Sequence, residues 1–237
     1  MTDLSAENRE RLIDARRQIV AIRENLHAAV DPANISIKAK TPYKVIVFRE
    51  TLLWRTEELG RCCCDLYERG DYCCALVATR AVMENMAAMV YLADLLASQL
   101  ERGLSSDADD RVMALLMGHR NWDEMPNAVN VLTMLGKAEK LVPQISEIYA
   151  SLSEYAHPNW SGTSGLFAQL DRENILTNLS RYPRGSDVPV TTGTIALASA
   201  LELLVYAYDK VGERLSNFVD LCEAALSVPP SVDAKVR

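Results

Sequence analysis

Tyr72-Cys-Cys-Ala-Leu-Val-Ala-Thr-Arg80-Ala-Val-Met-Glu84-Asn-Met-Ala-Ala-Met-Val-Tyr-Leu-Ala93 is apolar almost all round a helix, interrupted only by Thr79, Arg80, Glu84 and Asn85. A run of this length and character either spans a bilayer or forms the centre of a helical bundle. Two charges and an amide near its middle are costly in lipid, and Asp94 follows at once. The stretch therefore predicts a central bundle helix and no membrane span.

On the N-terminal side, Gly70 suits a helix end and Asp71 suits an N-cap, which predicts an antiparallel hairpin with the preceding helix. That helix opens at Thr41-Pro42 and carries a stripe of Val45, Phe48, Leu52, Leu59, Cys63 and Leu66. Before it, Leu12, Ala15, Ile19, Ile22, Leu26 and Ala29 recur at steps of three and four, predicting a helix from about Ser5 to Val30 that Asp31-Pro32 ends.

On the C-terminal side, the last long helix is expected over Thr192 to Leu226, with Glu202 the only charge between Ile195 and Tyr208. Shorter helices are expected near Asp107–Gly118, Asn127–Lys140 and Gln144–His157. The region 159–190 is irregular, with Leu166 to Leu179 as either a small hairpin or a short helix. The fold class is all-α: a multi-helix antiparallel bundle with long central helices, in one domain over residues 1–237, with 1–4 and 228–237 as flexible tails.

The composition, 49% hydrophobic and 24% charged, is that of a globular chain, and a net charge of −7 argues against nucleic acid held mainly by electrostatics. The Arg-rich stretch from Arg9 to Arg23 interleaves Glu7, Glu10, Asp14 and Glu24, as a solvated helix face does. The polar N-terminus has no signal-like apolar core, so a cytoplasmic location is expected. There the six cysteines are expected as thiols, acting as small buried hydrophobes.

Arg80 and Glu84 stand one turn apart on the most apolar helix, so they form either a structural ion pair or part of a polar pocket. Glu202 is the matching oddity on the last helix, and His157 lies beside a Gly-rich loop. A shared cluster of Arg80, Glu84, His157 and Glu202 is the candidate site, with Tyr149 and Ser153 beside His157.

Two Glu-x-x-His pairs, Glu24–His27 and Glu154–His157, are the residue types of about four of the six ligands in a di-iron set, but Glu24 and Glu154 point away from their apolar stripes. Pro158 also disfavours helix at His157. No metal ligand set is assigned and no cofactor is expected. Phosphate-binding loops, dinucleotide fingerprints and nucleophile elbows are absent from the sequence.

Arg80-Ala-Val-Met-Glu84 in a long apolar helix, followed by Tyr149 and Ser153-Glu-Tyr-Ala-His157-Pro158, resembles a pattern in uncharacterised bacterial all-helical proteins over about residues 45–210. Those are similar in turn to HEPN-type bundles, many of them ribonucleases of defence systems that pair an Arg with a His, four to six residues lying between them. The resemblance implies a helical bundle and a bacterial defence or stress setting. This chain lacks the arginine: the corresponding positions are Ala150, Ser151 and Leu152 before His157, Val112 to Ala114 before His119, and Val20 to Ile22 before His27.

The leading expectation is thus a helical interaction or small-ligand-binding protein, not an enzyme, that forms a homo-oligomer or binds a protein partner. The alternatives are a HEPN-like ribonuclease with a non-standard site and a metal-dependent bundle enzyme.

Overall fold

In a computed structural model, which describes residues 4–227, the quoted run lies within the centre of an all-α bundle. The helices are α1 (Ala6–Glu24), α2 (Thr41–Arg69), α3 (Tyr72–Arg102), α4 (Ala108–Leu116), α5 (Val131–Ala138), α6 (Ile145–Ala156), α7 (Ser164–Phe167) and α8 (Asp187–Ser227). A hairpin of β1 (Ala168–Asp171) and β2 (Leu176–Leu179) sits between α7 and α8. Residues 1–3 and 228–237 of the expected tails lie outside the described residues, while Leu4 packs against the core.

α3 packs most extensively on α8 and also contacts α2, α4, α5 and α6. Leu76, Met83, Met86, Met89, Leu92 and Leu96 are fully buried on it, each removal from water contributing about 1.5–3 kcal/mol. By length and composition, α3 and α8 are each apolar enough to cross a bilayer. Over the most apolar 18 residues of each, 61% and 56% are buried inside the bundle, so much of that apolar surface faces other helices.

The α2–α3 turn follows its sequence. Gly70 adopts φ 78°, where a side chain would be strained, and the Asp71 N–H bonds the Leu66 carbonyl to close α2. Asp71 makes no side-chain cap bond and instead pairs with Arg69 and Arg181. Thr41 likewise is no cap: its hydroxyl donates to Asp109 on α4 at 2.7 Å, beside Lys44, which reaches the same carboxylate at 2.6 Å.

Several boundaries differ from expectation for local reasons. α1 ends at Glu24, not near Val30, because the Asn25 side chain donates to the Ala21 carbonyl and competes with the helix ladder. α8 begins at Asp187, not Thr192, since Pro189 is tolerated in a first turn whose proline nitrogen needs no partner. The ambiguous 166–179 segment forms the hairpin, with Ala168 opposite Leu179 and Asp171 opposite Leu176.

α2 buries a broader face than its predicted stripe. Ile46, Glu50, Leu53, Glu57, Gly60, Cys64 and Tyr67 all point inward, so two carboxylates are carried into the bundle. The cysteines divide by helical angle: Cys63, Cys64 and Cys222 are buried, whereas Cys62 and Cys74 are exposed, which corrects the expectation that all six are buried.

Candidate functional site

α3 and α6 face one another through two pairs of residues, each pair one turn apart. Arg80 donates from Nε to Ser153 Oγ at 3.0 Å and from Nη2 to the Tyr149 hydroxyl at 2.6 Å. The Tyr149 hydroxyl donates to Glu84 Oε1 at 2.8 Å, and Arg80 meets the same oxygen at 3.2 Å. Ser153 returns its proton to the Tyr149 carbonyl at 2.9 Å, and the guanidinium lies 4.9 Å from the Tyr149 ring centre.

Both hydroxyl protons are therefore directed to acceptors inside the cluster. Burial, and then the facing Glu84 carboxylate, push the Tyr149 phenol above its ordinary value, which keeps it a donor at neutral pH. The Arg80 and Glu84 side chains are 30% and 31% exposed, so this is a clasp at a helix interface and not a pocket inside the bundle.

Glu202 and His157 stand apart from it. Glu202 is exposed on α8, between the buried Leu201 and Leu203. His157 is exposed as the extended C-cap of α6, φ −92° and ψ 149°, the conformation Pro158 imposes. Of the expected shared cluster, Arg80 and Glu84 meet, together with Tyr149 and Ser153.

A second polar site was missed by the sequence reading. Glu50, 3% exposed, accepts from Arg49 Nη2 at 2.6 Å, from the Tyr208 hydroxyl at 3.1 Å, and lies 3.0 Å from His27 Nδ1. The Arg49 guanidinium also stacks 4.2 Å from the Tyr208 ring centre. The sequence signal was Glu50 four residues after Ile46 and three before Leu53, a charge within an apolar stripe. His27 and Arg49 thus share a carboxylate, but the guanidinium is committed to Glu50 and Tyr208.

The third feature is a cleft of about 210 Å³ between α3, α5 and α8. Its lining combines apolar Val90, Ala93, Ala97, Leu141 and Ala207 and the ring of Tyr206 with the cations Lys137, Lys140, Lys210 and Arg214 and a single acid, Asp94. Lys137 pairs with Asp94 at 2.7 Å and Lys210 with Glu213 at 2.6 Å, while Arg214 donates to the Ala93 carbonyl at 2.9 Å. Lys140 is exposed in the turn after α5. On α1, Arg11 meets Glu7, Arg16 meets Asp65 and Glu68, Arg17 meets Asp14 and Arg23 meets Glu57.

Among the described residues, no group of three or more His, Cys, Asp or Glu side chains is disposed to hold a metal ion. No family model, curated protein or solved structure matches this chain.

Proposed function

We propose that this chain is a small-ligand-binding helical protein whose ligand is an organic anion with an apolar body, held in the cleft between α3, α5 and α8. The carrying observation is a cationic excess over an apolar lining, Lys137, Lys140, Lys210 and Arg214 against the paired acids Asp94 and Glu213, in a chain of net charge −7. A charged head near Lys140 and Lys210 with a hydrocarbon or aromatic body on Ala93, Ala97 and Ala207 satisfies both halves of the cleft.

Energetics favour this over a purely polar ligand. A unit charge about 4 Å from a lysine gains roughly 1 kcal/mol in water and about 4 kcal/mol at the effective dielectric of a protein surface. Burying the apolar body adds about 25 cal/mol per Å². Together these support sub-millimolar binding, about 5 kcal/mol or more, for a ligand of modest size. The Arg80–Tyr149–Glu84 clasp supports the site indirectly, because α6 follows α5 directly and is anchored to α3 by these bonds.

The test is chemical-shift mapping with octanoate and with its neutral analogue octanamide. Octanoate is expected to move the amide signals of Ala93, Ala97 and Ala207, and octanamide to leave them in place. Shifts elsewhere, or equal shifts from both compounds, count against the proposal.

A further inference from the structure

The β1–β2 hairpin projects from the bundle with little support. Its substantial contacts are between its own strands and with the short α7. Every residue from Arg172 to Ser180 is exposed, with Ile175 at 90% and Leu179 at 78%. Two strands alone are marginally stable in water, and three or more are ordinarily needed.

Proteins usually guard such an edge with charges, proline or a bulge. β2, Leu176-Thr-Asn-Leu179, has neither charge nor proline. On the face it shares with β1, Leu170 is opposite Thr177, and Leu170 is 55% exposed. The free edge and the uncovered apolar side chains therefore coincide.

We infer that the β2 edge is a self-association surface that joins two copies of this chain through antiparallel β2–β2 pairing. The strand is its own complement. Pairing centred on Thr177 sets Thr177 against its symmetry mate and Leu176 against Asn178, so no like charges meet. It also draws Ile175 of each copy toward Leu179 of the other.

The flanking charges fit the same arrangement. Antiparallel pairing lays the hairpin turn of one copy, net acidic with Asp171 and Glu173 against Arg172, beside the end of β2 in the other, where Arg184 follows Arg181, the latter already paired with Asp71 of its own chain. The resulting four-stranded sheet meets the strand count that each hairpin alone lacks. This inference is independent of the ligand cleft.

Sedimentation equilibrium of the full chain across a micromolar range tests it. A dimer is expected, and Ile175→Lys with Leu179→Lys is expected to weaken it about tenfold or more while leaving the helical signal unchanged. In a background with Cys62→Ser and Cys74→Ser, Thr177→Cys should cross-link two copies on oxidation, and Gln169→Cys on β1 should not. A monomer throughout overturns the inference. So does a dimer indifferent to the lysines, or one that cross-links equally through both positions.

Discussion

Glu84 accepts the Tyr149 proton at 2.8 Å while the same tyrosine oxygen accepts from Arg80 at 2.6 Å, so one phenol joins an acid and a base of α3 to α6. Tyr149→Phe removes both bonds but leaves the direct Arg80–Glu84 contact at 3.2 Å. Hydrogen bonds to charged groups contribute about 1.5–3 kcal/mol when shielded, and partial exposure reduces that here. Urea denaturation is expected to show a loss of about 1 kcal/mol, with octanoate binding retained because the Arg80–Ser153 bond still ties α6 to α3.

Glu50 should matter more for stability. Glu50→Ala leaves Arg49, whose side chain is 13% exposed, without its carboxylate and removes the acceptor of Tyr208. The expected cost is about 3 kcal/mol, as for breaking other buried ion pairs. His27→Ala, at a side chain 59% exposed, should cost under about 1 kcal/mol in the same denaturation experiment.

Gly193 lies where α8 crosses Tyr67 and Leu76. A Cβ there would sit 2.7 Å from Leu76 Cδ2 and closer still to the Tyr67 hydroxyl, which is held 3.1 Å from Thr79 Oγ1. Overpacking of this kind costs about 1–3 kcal/mol, so Gly193→Ala should lower stability despite alanine's better helix propensity. An unchanged denaturation midpoint would contradict this packing.

The buried thiols set an alkaline limit. Burial pushes Cys63 up to about 12, and Cys64 and Cys222 up to about 11, from an ordinary 9.0. Groups raised in the folded state stabilise it fully below their unfolded value and lose that contribution as pH rises through the folded one. Stability should therefore fall between about pH 9 and pH 12. At neutral pH, alkylation followed by peptide mapping should label Cys62 and Cys74 first, and Cys63, Cys64 and Cys222 only after unfolding.

The bundle was legible because periodicity and punctuation act locally. Leu12, Ala15, Ile19 and Ile22 are all buried, and Gly70 turns the chain as its position implied. The Arg80–Glu84 pair was legible for the same reason. Glu202 was misleading because even an apolar helix retains an outside, and the sequence does not say which step faces it. Glu50 and its partners were hidden because His27, Arg49 and Tyr208 come from three segments of the chain. The cleft was hidden likewise: Lys137 and Lys140 on one side, Lys210 and Arg214 on the other, are ordinary surface spacings until α5 and α8 pack against α3.

Calorimetric titration of octanoate into the wild type and into Lys140→Glu/Lys210→Glu tests the anion cleft most directly. One site per chain is expected, weakened about tenfold or more by the double substitution and also by added salt, which shortens the screening length from about 10 Å at 0.1 M to about 3 Å at 1 M. Absence of binding, or binding unchanged by both the substitutions and the salt, would contradict a cleft built for an anion.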